Sequence, residues 1–423
     1  MAITYPIRPV SAAELPAFVA VGEQAFNSIW PFDEVVRHER KIFEPERSLG
    51  AFDGDQLVGT ALVYTFRLTV PGGGVDVAGV SGVNVLPTHR RRGILSALMG
   101  RQLADVSSGS EPVAALFASE AGIYGRYGYG MACGQLDLTV RGGARLAHPA
   151  ADETSQAART TDALTVRLAE PEAVLTDLRA IYDTVQAGRP GMLARTGQWW
   201  EDLVDDPDFL REGHSRKRCV VVADAVGARG YALYTGKPRW GDDSLPAHEL
   251  LVREFFALDP AACAALWRNL LSRDLVSEIQ VRRRPVDDPL LHMLANRREA
   301  RPQLSDGLWI RLIDLPAALT GRRYACPVDA VIEVTDHQLP ANSGRWRLRA
   351  GGTAEPEPAT CERTSAEADI ALGIAELGAA YLGGTRLGSL ADAGLVSERR
   401  PGTLAGLSAG LSWDPLPWSP MMF

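Results

Sequence analysis

The 423-residue sequence predicts a multidomain protein of α/β and α+β class, with mixed β-sheets flanked by helices. The chain is too long for a single hydrophobic core. Strand-like and helical runs alternate near its start, and the same order returns about 170 residues later, with Asp53 matched by Asp224 and Pro87 by Pro260. From Leu308 onward, strand-like runs come first and helical runs follow. We therefore expect three domains, at residues 1–145, 160–300 and 301–423.

The first repeat opens with a short strand, and Ser11 with Glu14 forms a capping-box signature that starts a helix reaching Phe26. Asp53-Gly54-Asp55 is typical of a hairpin turn. The remaining pattern predicts strands at 47–52, 57–70, 75–86, 113–117 and 129–140, and helices at 33–43 and 94–106. The strand at 129–140 is expected to close this first unit.

Residues 141–163 have no apolar period and are interpreted as a linker. The second repeat predicts strands at 165–168, 220–224, 230–234 and 249–258, and helices at 172–185 and 261–271. The last region predicts strands at 309–312, 330–334 and 346–349, followed by helices at 374–382, 387–393 and 404–411.

Composition excludes several classes of protein. A formal net charge of −8 argues against nucleic acid as a partner of the whole surface. No apolar run is long enough to span a bilayer, and the first residues lack the layout of a signal peptide. The five cysteines are scattered without metal-ligand spacing, which indicates reduced thiols and a cytoplasmic location.

The segment from Val83 to Ala97 carries the strongest functional signal. An apolar strand ends at Pro87, and Arg90, Arg91, Arg92 and Gly93 then lead into an amphipathic helix at Ile94. Helix N-termini present unpaired N–H groups to anions, and glycine allows close backbone approach. The segment lacks the Gly-Lys-Ser/Thr of a Walker loop and the G-x-G-x-x-G of a dinucleotide site. The alternative is a solvated arginine cluster at an ordinary strand–helix turn.

These residues resemble the pyrophosphate loop with which GCN5-related N-acetyltransferases (GNATs) hold coenzyme A, although Leu95 departs from the usual small residue. Together with the segment Ala118–Gly130, they resemble more narrowly the enhanced intracellular survival (Eis) acetyltransferases. The resemblance implies two tandem GNAT folds, the second degenerate, and a sterol-carrier-protein-like α+β domain. It also implies acetyl-CoA as cosubstrate, no metal, and a homo-oligomer, specifically a hexamer. In the second repeat, Ala261–Ala264 replaces the arginines and glycine, so we expect no phosphate binding there.

The resemblance also assigns roles to residues. The backbone of Val83 and Val85 would pair with pantetheine beside a β-bulge near Gly82, and the segment from Arg90 to Ile94 would hold the pyrophosphate. Ser119 and Glu120 would shape the cofactor pocket. The α-carboxylate of Phe423 would serve as general base, with a hydrophobic anchor as the alternative role.

A tyrosine is a suitable general acid for a departing thiolate, because its pKa is near ~10. Tyr124, Tyr127 and Tyr129 compete for the role on spacing alone, with an aromatic packing role as the alternative. The family pattern places the acid at the first of them, Tyr124.

The resemblance also indicates the class of acceptor. Eis-type enzymes acetylate aminoglycoside amines, and here Phe26, Trp30 and Phe32 would form the aromatic wall of the substrate pocket. Met422 occupies a position where the family has an acid. Acetylation of a protein lysine or another metabolite amine stays open, as does a non-catalytic protein that binds coenzyme A or lipid.

Overall fold

The protein is described here by a computed structural model that covers residues 5–147, 164–354 and 357–423. Most of the predicted linker at 141–163 therefore lies outside the described residues. Two compact units are present, and neither is continuous in sequence. The first comprises the described parts of Met1–Cys133, Pro190–Gln198 and Asp306–Phe423, and the second those of Gly134–Arg189 and Trp199–Ser305.

The first unit contains a seven-stranded mixed sheet in the order β1-β2-β3-β4-β5-β14-β6. Its strands are β1 (Ile7–Arg8), β2 (Ser48–Asp53), β3 (Gln56–Val70), β4 (Gly73–Val85), β5 (Val113–Phe117), β6 (Gly130–Met131) and β14 (Leu308–Leu312). Its helices are α1 (Leu15–Phe26), α2 (Phe32–Glu39), α3 (Ile94–Ser107) and α4 (Ala121–Tyr124). Only β4 and β5 are parallel, because α3 carries the chain back between them.

The start of the first unit follows the sequence prediction closely. Ser11 and Glu14 form the predicted capping box. The helix then ends at Phe26, where Asn27 adopts a left-handed conformation with φ of 52°. Apolar residues of α3 and of strands β4 and β5, including Val80, Met99 and Leu116, form one buried cluster beneath the sheet.

One strand prediction is wrong. The run 129–140 was expected to be a single strand closing the first sheet, but it divides in two. Gly130–Met131 stays in the first sheet, whereas Gly134–Arg141 (β7) pairs with the second sheet. Leu308–Leu312, expected in the last domain, instead pairs with both β5 and β6. Alternation within a strand indicates which face is buried but not which neighbour it pairs with.

The second unit repeats this arrangement in a sheet ordered β13-β7-β12-β11-β10-β9-β8. Its further strands are β8 (Thr165–Ala169), β9 (Arg218–Ala223), β10 (Ala228–Lys237), β11 (His248–Ala257), β12 (Val276–Arg284) and β13 (Gln303–Asp306). Its helices are α5 (Leu175–Gly188), α6 (Gly197–Val204), α7 (Pro260–Leu271) and α8 (Leu290–Met293). As in the first sheet, the helix α7 joins a parallel pair, β11 and β12.

The C-terminal region adds a five-stranded sheet to the first unit, in the order β17-β16-β15-β18-β19. The strands are β15 (Val328–Thr335), β16 (Gly344–Ala350), β17 (Thr360–Arg363), β18 (Ile370–Gly373) and β19 (Val396–Glu398). The helices are α9 (Leu315–Thr320), α10 (Ile374–Ala380), α11 (Leu387–Asp392) and α12 (Thr403–Leu411). Among the described residues, no helix is both long and apolar enough to cross a membrane.

Candidate active site

Strands β4 and β5 separate partway along their length. Their parallel pairing runs from Val77 opposite Val113 to Gly79 opposite Ala115 and stops there, although β4 continues to Val85. A gap between parallel strands leaves backbone N–H and C=O groups available to a ligand. The predicted roles of Val83 and Val85 depend on such a gap, and both residues lie beyond the last pair.

A β-bulge occurs at the predicted place. On β3, Thr60 faces Asn84 and Leu62 faces Ser81, so Ala61 lies opposite both Gly82 and Val83. Gly82 has φ of +58°, a conformation that favours glycine. Bulges bend a strand and turn its backbone out of register, which suits a site where a ligand approaches main-chain groups.

A buried hydroxyl group stabilises this bulge. Thr60 is fully buried, and its Oγ1 donates to the carbonyl of Gly82 at 2.7 Å. The same oxygen accepts a hydrogen bond from Nδ2 of Asn84 at 3.2 Å. Thr60 could not be recognised from the sequence, because nothing in a β-rich run distinguishes a threonine that bonds to a bulge from one that packs.

The arginine loop has the backbone of an anion site. Arg91 and Gly93 both adopt left-handed conformations, with φ of 63° and 83°. Gly93 is the N-cap of α3 and provides no side chain to cap the helix, so the first amides of α3 lack a side-chain acceptor there. Turns of this kind direct successive N–H groups toward one point. Residues 90–93 are all exposed, and Ile94 is buried.

The three arginines do not act as one group. Arg92 donates from Nη1 to the hydroxyl of Tyr5 at 3.0 Å, so its side chain is held against the start of the chain. His89 is buried, and its Nε2 lies 3.2 Å from Oδ2 of Asp53. Its ring also packs edge-on against Tyr5. Tyr5, Asp53 and His89 thus form a connected set of contacts to the loop, and none of the three was predicted from the sequence.

The three tyrosines occupy different environments. The hydroxyl of Tyr127 is 3.1 Å from Oγ of Ser96. Tyr129 is 1% exposed, and burial raises its pKa strongly. Tyr124 is 8% exposed at the end of α4, and burial, with smaller effects of Glu120 and Tyr127, raises its pKa above the ordinary value. Tyr124 therefore stays protonated at neutral pH and keeps more solvent access than the other two.

The C-terminal residue lies on the sheet where the strands part. The ring of Phe423 is 5.0 Å from that of Phe66 and 5.4 Å from that of Phe117, measured between centroids. A Cβ atom on Gly79 would come within 3.1 Å of the Phe423 ring. Gly79 is the last residue of β4 that pairs with β5. The chain therefore ends beside the gap between the two strands.

The other predicted site residues are on the surface. Ser119 and Glu120 are exposed just after β5, and Glu120 is the N-cap of α4. Of the proposed aromatic wall, Phe26 is 62% exposed, Trp30 43% and Phe32 36%. These three follow one another around the turn from α1 to α2 and present apolar surface to solvent.

The second unit has a corresponding bulge, but its own side chains occupy the gap between the parallel strands and the N-terminus of the following helix. Arg253 is the extra residue of a bulge in β11, where Leu233 faces Glu254 and Tyr234 faces Val252. Beyond the last pair of β11 and β12, Nη1 of Arg284 donates across to the carbonyl of Phe255 at 2.8 Å. At the start of α7, the Asp259 carboxylate accepts from the amide of Ala262. A carboxylate of the chain itself thus occupies the helix N-terminus.

No group of three or more His, Cys, Asp or Glu side chains within residues 5–147, 164–354 and 357–423 is arranged to hold a metal ion. The residues of the first unit instead fit a large anionic ligand: a helix N-terminus with glycine as its N-cap, two left-handed residues at the turn before it, and three exposed arginines.

Comparison with known protein families agrees with this geometry. Residues 6–132 match a GNAT acetyltransferase domain family, and residues 191–312 match a second GNAT acetyltransferase domain family. Residues 315–420 match a sterol carrier protein domain family. Two GNAT folds followed by a sterol-carrier-like domain define the class: the protein is an N-acetyltransferase of the GNAT type.

Similar proteins show the family within this class. The chain is 43% identical to an uncharacterized N-acetyltransferase of Streptomyces avermitilis, over 95% of both chains. It is 36% identical to N-acetyltransferase Eis of Mycobacterium tuberculosis, over 86% of this chain and 85% of that one. The structure resembles that of Eis1 from Mycobacterium abscessus with a TM-score of 0.80 and 34% identity, covering 99% and 100% of the chains. The chain belongs to the Eis family of GNAT acetyltransferases.

Proposed function

We propose that the protein transfers the acetyl group of acetyl-CoA directly to a primary amine of a small molecule, such as an aminoglycoside. The observation that carries this proposal is the position of Phe423, whose ring lies on Gly79 where β4 and β5 part. A chain terminus held at that gap brings an α-carboxylate to the region where family resemblance places the thioester.

The first unit would supply the contacts to the cofactor. The amides at the start of α3, the exposed Arg90 and Arg91, and Gly93 would hold the pyrophosphate, while Arg92 stabilises the loop through Tyr5. The backbone of Val83 and Val85 would bind the pantetheine arm beside the bulge, and Ser119 and Glu120 would border the pocket. Bound acetyl-CoA supplies the activated acetyl group.

Two proton transfers fall to the chain. The Phe423 carboxylate would accept the proton that the amine loses as it bonds to the acetyl carbon. Tyr124 would donate its phenolic proton to the sulfur as the carbon–sulfur bond breaks. The raised pKa of Tyr124 means that the side chain still carries its proton at neutral pH when the thiolate forms.

The acceptor pocket is proposed to include Phe26, Trp30 and Phe32, whose exposed rings fit an amine with apolar surface. Met422 is 52% exposed and uncharged beside the terminus, which favours acceptors of lower charge than a polycation. A protein lysine or another metabolite amine is the second candidate acceptor. A cytoplasmic hexamer is the assembly that family resemblance implies.

The test is release of free coenzyme A from acetyl-CoA, measured over aminoglycosides, polyamines, aromatic amines and lysine peptides. Three proteins are compared: the full chain, a form lacking Phe423, and Phe423→Ala. We expect the deletion to abolish turnover. The Ala variant keeps an α-carboxylate at residue 423 and should retain more activity. Full turnover by the deleted form would exclude the terminal base, and the preferred amine identifies the acceptor class.

A further inference from the structure

The C-terminal tail is held in place by a segment from the middle of the chain. Residues 191–194 pair with β3. The amide of Gly191 donates to the carbonyl of Thr69 at 2.8 Å, and the amide of Thr69 donates to the carbonyl of Met192 at 2.9 Å. Leu68 and Leu193 form an antiparallel bridge, and both are fully buried. Because β2 pairs only with the first half of β3, this segment occupies an edge that β2 leaves free.

The same segment contacts the tail directly. The amide of Trp418 donates to the carbonyl of Pro190 at 2.8 Å. Gly191 has φ of +90°, and a Cβ atom placed on it would lie 2.9 Å from the carbonyl oxygen of Trp418 and 3.1 Å from its nitrogen. Only glycine combines this backbone conformation with such close approach. Pro190, Gly191 and Trp418 are called the tail anchor below.

The tail remains packed beyond the anchor. Trp418 is 5% exposed, Ser419 3% and Met421 5%, before the ring of Phe423 reaches Gly79. Five residues separate Trp418 from the terminus, and a released chain of that length extends about 17 Å. Since misplacement by about 1 Å can reduce a rate 100-fold, a terminal base needs a fixed point close behind it.

We infer that Gly191 is a positioning residue for acetyl transfer, acting through the backbone of Trp418 to place the Phe423 carboxylate. This inference rests on the proposed function, because it assigns the terminal carboxylate a role in the reaction. Gly191 touches neither substrate nor cofactor in this scheme. Its effect is on the turnover number rather than on binding of acetyl-CoA.

The test compares Gly191→Ala with Gly394→Ala in the full-length protein. Gly394 is a matched control because it has a similar φ of +77°, and no atom of the described residues would lie within 4 Å of a Cβ placed on it. We expect Gly191→Ala to lower kcat at least about tenfold, with the KM for acetyl-CoA within about twofold of the parent. Hydrogen exchange at the Trp418 amide should accelerate, and residual activity should rise more steeply with pH, because the amine then loses its proton unaided. Gly394→Ala should change none of these.

The inference would be overturned if Gly191→Ala left both the kcat and the hydrogen exchange of the Trp418 amide unchanged. It would also be overturned if Gly394→Ala lowered the kcat by the same factor. If Gly191→Ala does not fold, Trp418→Pro is compared with Trp418→Ala: both lose the buried indole, but only the proline variant also loses the donor amide, and the same kinetic split is expected between them. The Phe423 deletion distinguishes failure of the terminal base from failure of the tail anchor. If the deleted form turns over normally, the terminal base is excluded. If it is inactive while both anchor variants keep full kcat, only the anchor is excluded.

Discussion

Replacing Thr60 with valine tests whether the bulge in β4 shapes the cofactor site. Valine has nearly the same shape, so the change leaves no cavity but removes the hydroxyl that bonds Gly82 at 2.7 Å and Asn84 at 3.2 Å. Two buried or half-buried polar groups then lose a partner, at about 1–3 kcal/mol each. We expect a loss of about 2–6 kcal/mol in the free energy of unfolding of the first unit.

Thr60→Ser is the matched control, because it keeps the hydroxyl and loses one methyl group, which costs about 0.8 kcal/mol. Urea unfolding and the KM for acetyl-CoA are measured for both variants. We expect the KM to rise about tenfold or more in Thr60→Val, which corresponds to a loss of about 1.4 kcal/mol or more in binding free energy. In Thr60→Ser the KM should stay near the parent value. If valine and serine prove equal in stability and in KM, the hydroxyl does not maintain the bulge and the reasoning is wrong.

Four further predictions concern Tyr124, Gly93 and Arg284. Tyr124→Phe should lower kcat by about 100-fold or more with little change in KM, whereas Tyr127→Phe, which loses only the contact with Ser96, should retain most activity in the same assay. In the parent enzyme, the raised pKa of Tyr124 means that the alkaline fall of kcat begins above the ordinary tyrosine value of about 10; a fall near neutrality would exclude it as the acid. Gly93→Ala should raise the KM for acetyl-CoA several-fold, because alanine at φ of 83° costs about 1–2 kcal/mol, while Gly100→Ala inside α3 should leave the KM unchanged. Arg284→Met should destabilise the second unit by about 3–5 kcal/mol in chemical unfolding, because it leaves the fully buried Asp288 carboxylate without its cation. Arg282 is exposed, so Arg282→Met serves as the control and should differ from the parent by less than about 0.5 kcal/mol.

Elements with strong local signals could be predicted from the sequence. Pro87 and Gly93 delimit the arginine loop, and the observed helix begins at Ile94 as predicted. The strand Val113–Phe117 also has its predicted bounds. Both depend on neighbouring residues alone: glycine and proline punctuation, apolar runs and charge.

Features that depend on distant residues could not be predicted. The partner of Gly134–Arg141 is β12, which is more than 130 residues away, and no local pattern encodes that choice. The contact of Arg92 with Tyr5 and that of Trp418 with Pro190 are likewise long-range. The chemistry of the loop could be predicted from the sequence, but not that Arg92 is the arginine held by Tyr5.

The position of Leu308–Leu312 between β5 and β6 has a consequence for how the chain matures. The first sheet cannot be completed until this strand has left the ribosome, long after the residues of the arginine loop have emerged. Until then the edge of Val113–Phe117 has no partner, and an apolar edge of that kind recruits other chains. A truncated protein ending at residue 145 would carry the whole arginine loop and yet be prone to aggregation, so the smallest useful fragment of this acetyltransferase extends past Leu312.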